Sequence, residues 1–175
     1  GDNAAQLAKE EAAQKRVEQV LQPLSELPSG RVAYRTLAEI NAELQQLATE
    51  NPTKVKLFTA GQSLLGKPIY GVEVSHDVHQ NSGKPVFLLT GATHAREWPT
   101  PEFTLEFVYD LLMHDGEDPE ATNLLEKGKL IAIPVVNVDG YDLSRSVPAH
   151  EQKRKNCRVN PGEVPTAAEC QAANQ

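Results

Sequence analysis

At 175 residues the chain is long enough to bury one sizeable core, and a single main domain is the natural expectation. A formal charge of -7 and a pI near 5.2 argue against a nucleic-acid-binding surface. No apolar run approaches the ~20 residues of a membrane-spanning helix, and no secretory leader is visible, so a chain that begins at Gly1 reads as a mature or trimmed product with no membrane partner.

Asp2 to Leu21 is rich in Ala, Glu, Gln and Lys and reads as a modestly amphipathic helix ending before Pro23, followed by a loop at Pro28-Ser29-Gly30. Residues 1–30 are therefore expected to be an N-terminal helical extension without chemistry, and residues 31–175 the working domain. Thr36, with Glu39 three residues on, forms a capping box. Leu37, Ile40, Leu44 and Leu47 then make a helical stripe of core type, ending at Asn51-Pro52. Val55 to Phe58 and Ile69 to Val74 are strands, and the Gly61 to Pro68 connection suits a hairpin. Ser75 to Gly83 is polar; its His76 and His79 lack a buried framework and are expected to be exposed loop histidines.

Lys84 to Pro101 concentrates the chemistry. Val86 to Leu89 has the length and character of a buried strand. Gly91 lets the backbone turn, and a helix is expected with Thr100 as its cap and Pro101 at its first position. Between them lie His94, Arg96 and Glu97, at the place where open α/β sheets bind ligands, outside the carboxyl ends of the strands. An imidazole and a carboxylate three residues apart on a turn can converge on one ion, and both are good zinc donors. Spacing alone decides nothing: His114 and Glu117 repeat it in a stretch that reads as a solvated turn. Context favours His94 and Glu97, yet the residues by themselves leave two readings open, a metal site or an ion-pair cluster of His94, Arg96 and Glu97.

Phe103, Leu105, Phe107, Val108, Leu111 and Leu112 make an apolar helix reaching Met113, and Pro119 to Lys127 a shorter one. Lys129 to Val136 is the most apolar strand, with Pro134 where no ladder donor is needed. If it runs parallel to the strand before His94, it delivers Asn137, Asp139 and Gly140 to the same rim; both Asx residues are expected to form a turn. Strands separated by helical crossovers indicate an α/β fold with a mixed, mostly parallel central sheet flanked by helices, opened by an antiparallel hairpin. A bond between Cys157 and Cys170, the two cysteines of the chain, would stabilise by roughly 3 kcal/mol and would suit a secreted, extracellular or periplasmic protein. Two free thiols in a reducing compartment are the alternative.

At these residues the sequence resembles the zinc metallocarboxypeptidases of the carboxypeptidase A and B type. Gly91-Ala92-Thr93-His94-Ala95-Arg96-Glu97-Trp98 carries the family's Gly-x-His-x-Arg-Glu-Trp types with one extra residue. Tyr34 to Ile40 is similar to the Tyr-x-Thr-x-x-Glu-Ile segment, Gly66-Lys67-Pro68-Ile69-Tyr70 to Gly-Arg-Pro-Ile-Tyr, Asn137 to Tyr141 to Asn-x-Asp-Gly-Tyr, and Arg154-Lys155-Asn156 to Arg-Lys-Asn/Thr. The resemblance implies a carboxypeptidase-like fold, of which residues 31–175 are about the first half, and one catalytic Zn2+ held by His94 and Glu97. Such an ion takes three protein ligands and leaves a position open for water. It implies further that Arg154 stabilises the oxyanion of the scissile bond and that Arg96 contacts the substrate, the C-terminus of a peptide or protein.

The chain departs from the pattern at Lys153, where Trp is usual, at Val138, where Pro is frequent, and at Cys157 directly after Asn156. After Lys155 there is no histidine, and Glu163 and Glu169 sit in no matching motif. The third zinc ligand, the carboxylate-gripping pair and the glutamate base are thus expected outside this chain, with the remaining part as a candidate partner chain. Without them the chain should be inactive alone and should leave sheet edges and apolar faces uncovered. Two other readings remain: a non-catalytic carboxypeptidase-like binding protein, and an amidohydrolase acting on peptidoglycan peptides.

Overall fold

The computed structural model describes residues 27–80, 83–146 and 148–172, and the helix expected over Asp2 to Leu21 lies outside them. The chain divides into two units, Gly1–Ala33 and Tyr34–Gln175. In the first, a turn is closed by the Gly30 N–H on the Leu27 carbonyl at 2.8 Å.

The second unit begins with α1 (Leu37–Glu50). Its capping box is formed as expected: the Thr36 hydroxyl accepts the Glu39 N–H at 3.3 Å and the Glu39 carboxylate accepts the Thr36 N–H at 2.7 Å. Leu37, Ile40, Leu44 and Leu47 are all buried, one face of a 3.6-residue period laid on the sheet. β1 (Val55–Gln62) and β2 (Pro68–Val74) pair antiparallel as a hairpin, with a register shift between Thr59 and Gly61. β2 pairs antiparallel with β4 (Lys129–Ile133), and β4 pairs parallel with β3 (Val86–Thr90), giving the order β1-β2-β4-β3. The sheet is mixed, its parallel pairing lying between β3 and β4. That pairing needs a helical crossover, supplied by α2 (Pro99–Met113) and α3 (Pro119–Lys127).

Several expectations need correction. β3 is an edge strand of the described sheet, with Val86, Phe87 and Leu88 each more than half exposed at 55%, 53% and 57%. An apolar run reads alike whether one face or two are covered; here Phe87 meets Phe107 of α2, with ring centroids 6.4 Å apart. α2 starts at Pro99, two residues early, and Phe103 is exposed while Glu102 and Glu106 are buried. The cause is Arg35, fully buried beneath them. Its N–H donates to Glu102 Oε1 at 2.6 Å, its Nε to Glu43 Oε2 at 2.8 Å, and its Nη1 to Glu102 and, at 3.3 Å, to Glu106. Burial works against this charge, but Glu43 and Glu102 outweigh it and raise the guanidinium pKa further.

His76 is not a free loop histidine: its Nε2 lies 2.8 Å from Asp115 Oδ2. The Asp115 side chain is only 4% exposed and also meets Lys54 Nζ at 2.5 Å. The stretch from His114 to Glu117 is therefore a turn with a buried carboxylate in it rather than a solvated one. His79 is exposed as expected, its Nε2 2.8 Å from the Pro52 carbonyl.

After β4 come α4 (Val138–Ser146), a short 3-10 turn at Pro148–His150, and α5 (Ala167–Ala172). Cys157 and Cys170 form a disulfide across a sequence separation of 13. Among the described residues no helix is long and apolar enough to cross a membrane.

Candidate metal centre

The β3–β4 ladder continues past the strand ends, and that continuation builds the site. Gly91 N–H donates to the Ile133 carbonyl at 2.9 Å, Val136 N–H to Gly91 at 3.1 Å, and Asn137 N–H to Ala92 at 3.1 Å. The turn bearing His94 and the head of α4 therefore leave the sheet side by side at one rim. Gly91 is required here because a Cβ would lie 2.4 Å from the Pro134 carbonyl oxygen and 2.9 Å from that of Thr100. Ala92 follows in the left-handed region at φ 41°. Its N–H is accepted by Thr100 Oγ1 at 2.7 Å, and the same hydroxyl donates to the Glu97 carbonyl at 2.8 Å. Thr100, expected as a helix cap, is instead a brace across the whole turn. The N-cap position belongs to Trp98, which makes no side-chain cap.

Within the brace, Glu97 N–H closes on the His94 carbonyl at 3.1 Å. The two side chains rise on one side of that turn, with His94 Nδ1 2.7 Å from Glu97 Oε1 and both partly open to solvent, at 36% and 44%. An imidazole nitrogen and a carboxylate oxygen brought together on one turn and reachable from water are a chemically sound pair of zinc donors. They are two members of a set; among the described residues no group of three His, Cys, Asp or Glu gathers to hold a metal. Arg96 is exposed and forms no ion pair with this couple, so the three-residue cluster left open by the sequence is not what assembles.

α4 supports the turn from below. Asn137 Oδ1 accepts the Gly140 N–H at 3.1 Å, in the manner of a helix cap. Asp139, expected to act locally, reaches back to the β1–β2 loop, accepting from Ser63 Oγ at 2.7 Å and Leu65 N–H at 3.2 Å. Gly140 sits where a Cβ would come within 2.9 Å of the Ala95 Cβ. Buried Ser144 Oγ lies 3.1 Å from the Ala95 carbonyl and accepts the Trp98 indole N–H at 3.0 Å. Arg145 stacks its guanidinium 4.4 Å from the centre of the Trp98 ring and donates to the Tyr34 and Arg35 carbonyls. The helix over Val138–Ser146 and the roles of Thr100, Ser144 and Trp98 were missed in the sequence. Their partners are distant in the chain, and the one local signal was a hydroxyl between two prolines at Pro99-Thr100-Pro101.

Arg154 comes to the same rim through its backbone. Its carbonyl accepts the Ala95 N–H at 3.0 Å and Asn137 Nδ2 at 3.4 Å. Beside this junction opens a cavity of about 520 Å³, with His94, Asn137 and Asp139 on one wall and Arg154, Lys155 and Asn156 on another. The structure thus brings together His94, Glu97 through its contact with His94, and Arg154. Arg96 does not line the cavity.

Known proteins resemble this chain in sequence and fold. The zinc carboxypeptidase model, peptidase M14, matches residues 40–174. The zinc carboxypeptidase A 1 of Anopheles gambiae is 39% identical over 108 residues, 62% of this chain and 24% of that protein. Carboxypeptidase B of Homo sapiens is 34% identical over 108 residues, 62% of this chain and 25% of that protein. The crystal structure of thrombin activatable fibrinolysis inhibitor superposes with a TM-score of 0.67 at 30% identity, covering 75% of this chain and 32% of that one. The chain spans about a quarter to a third of the length of these relatives. With its mixed sheet, helical crossover and rim motif matched over 135 of 175 residues, the chain belongs to the zinc carboxypeptidase family.

Proposed function

We propose that the protein carrying this chain is a zinc-dependent carboxypeptidase that hydrolyses the C-terminal peptide bond of peptides or proteins. The observation that carries this is the convergence of His94 Nδ1 and Glu97 Oε1 at 2.7 Å beside a cavity that Arg154 also lines. His94 and Glu97 hold the ion from this chain, and a further ligand comes from residues beyond it. The chemistry zinc supplies when bound is polarisation of the scissile carbonyl and activation of a water molecule. Arg154, a fixed planar cation, meets the charge that develops on the carbonyl oxygen. Arg96, exposed beside the turn, contacts the peptide upstream of the scissile bond. The segment that completes the site belongs to the same protein or to a partner chain. A secreted or extracellular location agrees with the Cys157–Cys170 disulfide.

The test is release of the last residue from a peptide with a free C-terminal carboxylate and from its C-terminally amidated twin, before and after chelation and zinc restoration. Cleavage of the free peptide only, lost on chelation and restored by zinc, is expected. Cleavage of neither by zinc-loaded protein contradicts an enzymatic role and leaves a binding protein. Release from peptidoglycan peptides alone would move the activity to that amidohydrolase class.

A further inference from the structure

Lys153, next to Arg154, is fully buried, and its ammonium donates to the Cys170 carbonyl oxygen of α5 at 2.9 Å. An ammonium in such a place is expensive, and an apolar side chain of the same length would fill the space without that cost. Burial also pushes the Lys153 pKa down, the expected result of withdrawing the charge from water. What the ammonium adds is direction: it fixes where residue 153 stands relative to residue 170. The disulfide fixes residue 157 to the same Cys170. The two ties flank Arg154, Lys155 and Asn156, all three exposed and all three on the cavity wall. From the other side the wall is fastened through the Arg154 carbonyl, to the Ala95 N–H and to Asn137.

We propose that Lys153, acting with the Cys157–Cys170 disulfide, is a positioning residue that holds the Arg154–Asn156 wall in register with the His94 turn. Lys153 touches no substrate; it works through Arg154, and its effect on turnover rests on the role given to Arg154 above.

The test uses the complete zinc-loaded protein and the variants Lys153→Met, Lys153→Gln and Arg154→Ala, with kcat and KM measured separately beside zinc content, melting temperature and hydrogen exchange at the Ala95 amide. Arg154→Ala should lower kcat about 10² to 10³ fold. Lys153→Met should keep its zinc and a cooperative melting transition, lower kcat about 10 to 100 fold with little change in KM, as loss of a supporting contact does, and speed exchange at Ala95. Lys153→Gln, which keeps a donor, should recover part of both, and it carries the same test should Lys153→Met fail to fold. Unchanged Ala95 exchange overturns the proposal whatever the activity. Loss of kcat together with zinc and the melting transition in both Lys153→Met and Lys153→Gln also overturns it, because Lys153 then serves the fold. Faster Ala95 exchange in Lys153→Met with full kcat in Arg154→Ala supports the clamp and contradicts the role assigned to Arg154.

Discussion

The Thr100 hydroxyl joins the two ends of the turn that presents His94 and Glu97, accepting from Ala92 and donating to Glu97. Thr100→Val keeps the shape and removes both bonds, leaving the buried Ala92 N–H without its partner. A loss of about 1–3 kcal/mol is expected, read by urea unfolding, with Thr100→Ser close to wild type. Gly140 makes a complementary case. An alanine there would press on the Ala95 Cβ at 2.9 Å and on Asn137 Nδ2 at 2.8 Å. Overpacking of this kind costs about 1–3 kcal/mol, and because Ala95 sits inside the His94–Glu97 turn, Gly140→Ala should also weaken zinc binding in a metal-competition titration. His94, Glu97 and Arg154 were legible as candidates because their chemical types fall in short motifs. Thr100 and Ser144 were not, because a hydroxyl carries no mark of which distant amide or carbonyl it will meet.

α2 lies against the sheet through Leu105, Val108 and Leu111 and against Arg35 through Glu102 and Glu106. Removing one member of a buried ionic cluster leaves the others uncompensated, at about 3–5 kcal/mol. Arg35→Met should therefore destabilise the unit by that order in chemical denaturation, far more than Arg96→Met on the exposed turn. Tyr109 belongs to the same cluster: burial and the neighbouring Glu43 push its hydroxyl up to about 12, which keeps it a donor to Glu43 at 3.2 Å. α1 could be read from its period and its capping box because both are local. The inward turn of Glu102 and Glu106 could not, since their partner lies 67 and 71 residues earlier. β3 could not be told from a buried strand because four apolar residues in a row, Val86 to Leu89, look the same at an edge as in the middle of a sheet.

Taken together, the unit couples its acid stability to Asp115. Burial alone would raise the Asp115 pKa, but hydrogen bonds from Lys54 and His76 overcome it and hold it below the ordinary 3.8. A depressed carboxylate pKa contributes stability that is present above the unfolded value and is lost as pH falls through the folded one. Stability should therefore decline as pH drops below about 4, and Asp115→Asn should flatten that decline while lowering stability at neutral pH, as followed by urea unfolding from pH 6 to pH 3. Above this background the decisive property is the metal. Zinc affinity of the complete protein, measured by competition with a chelator of known strength, should show one tight site in the wild type. His94→Ala and Glu97→Gln, each still folded, should weaken it by at least about 100-fold, beyond the loss of a supporting contact. Wild-type affinity in either variant would contradict the assignment of these two side chains to the ion.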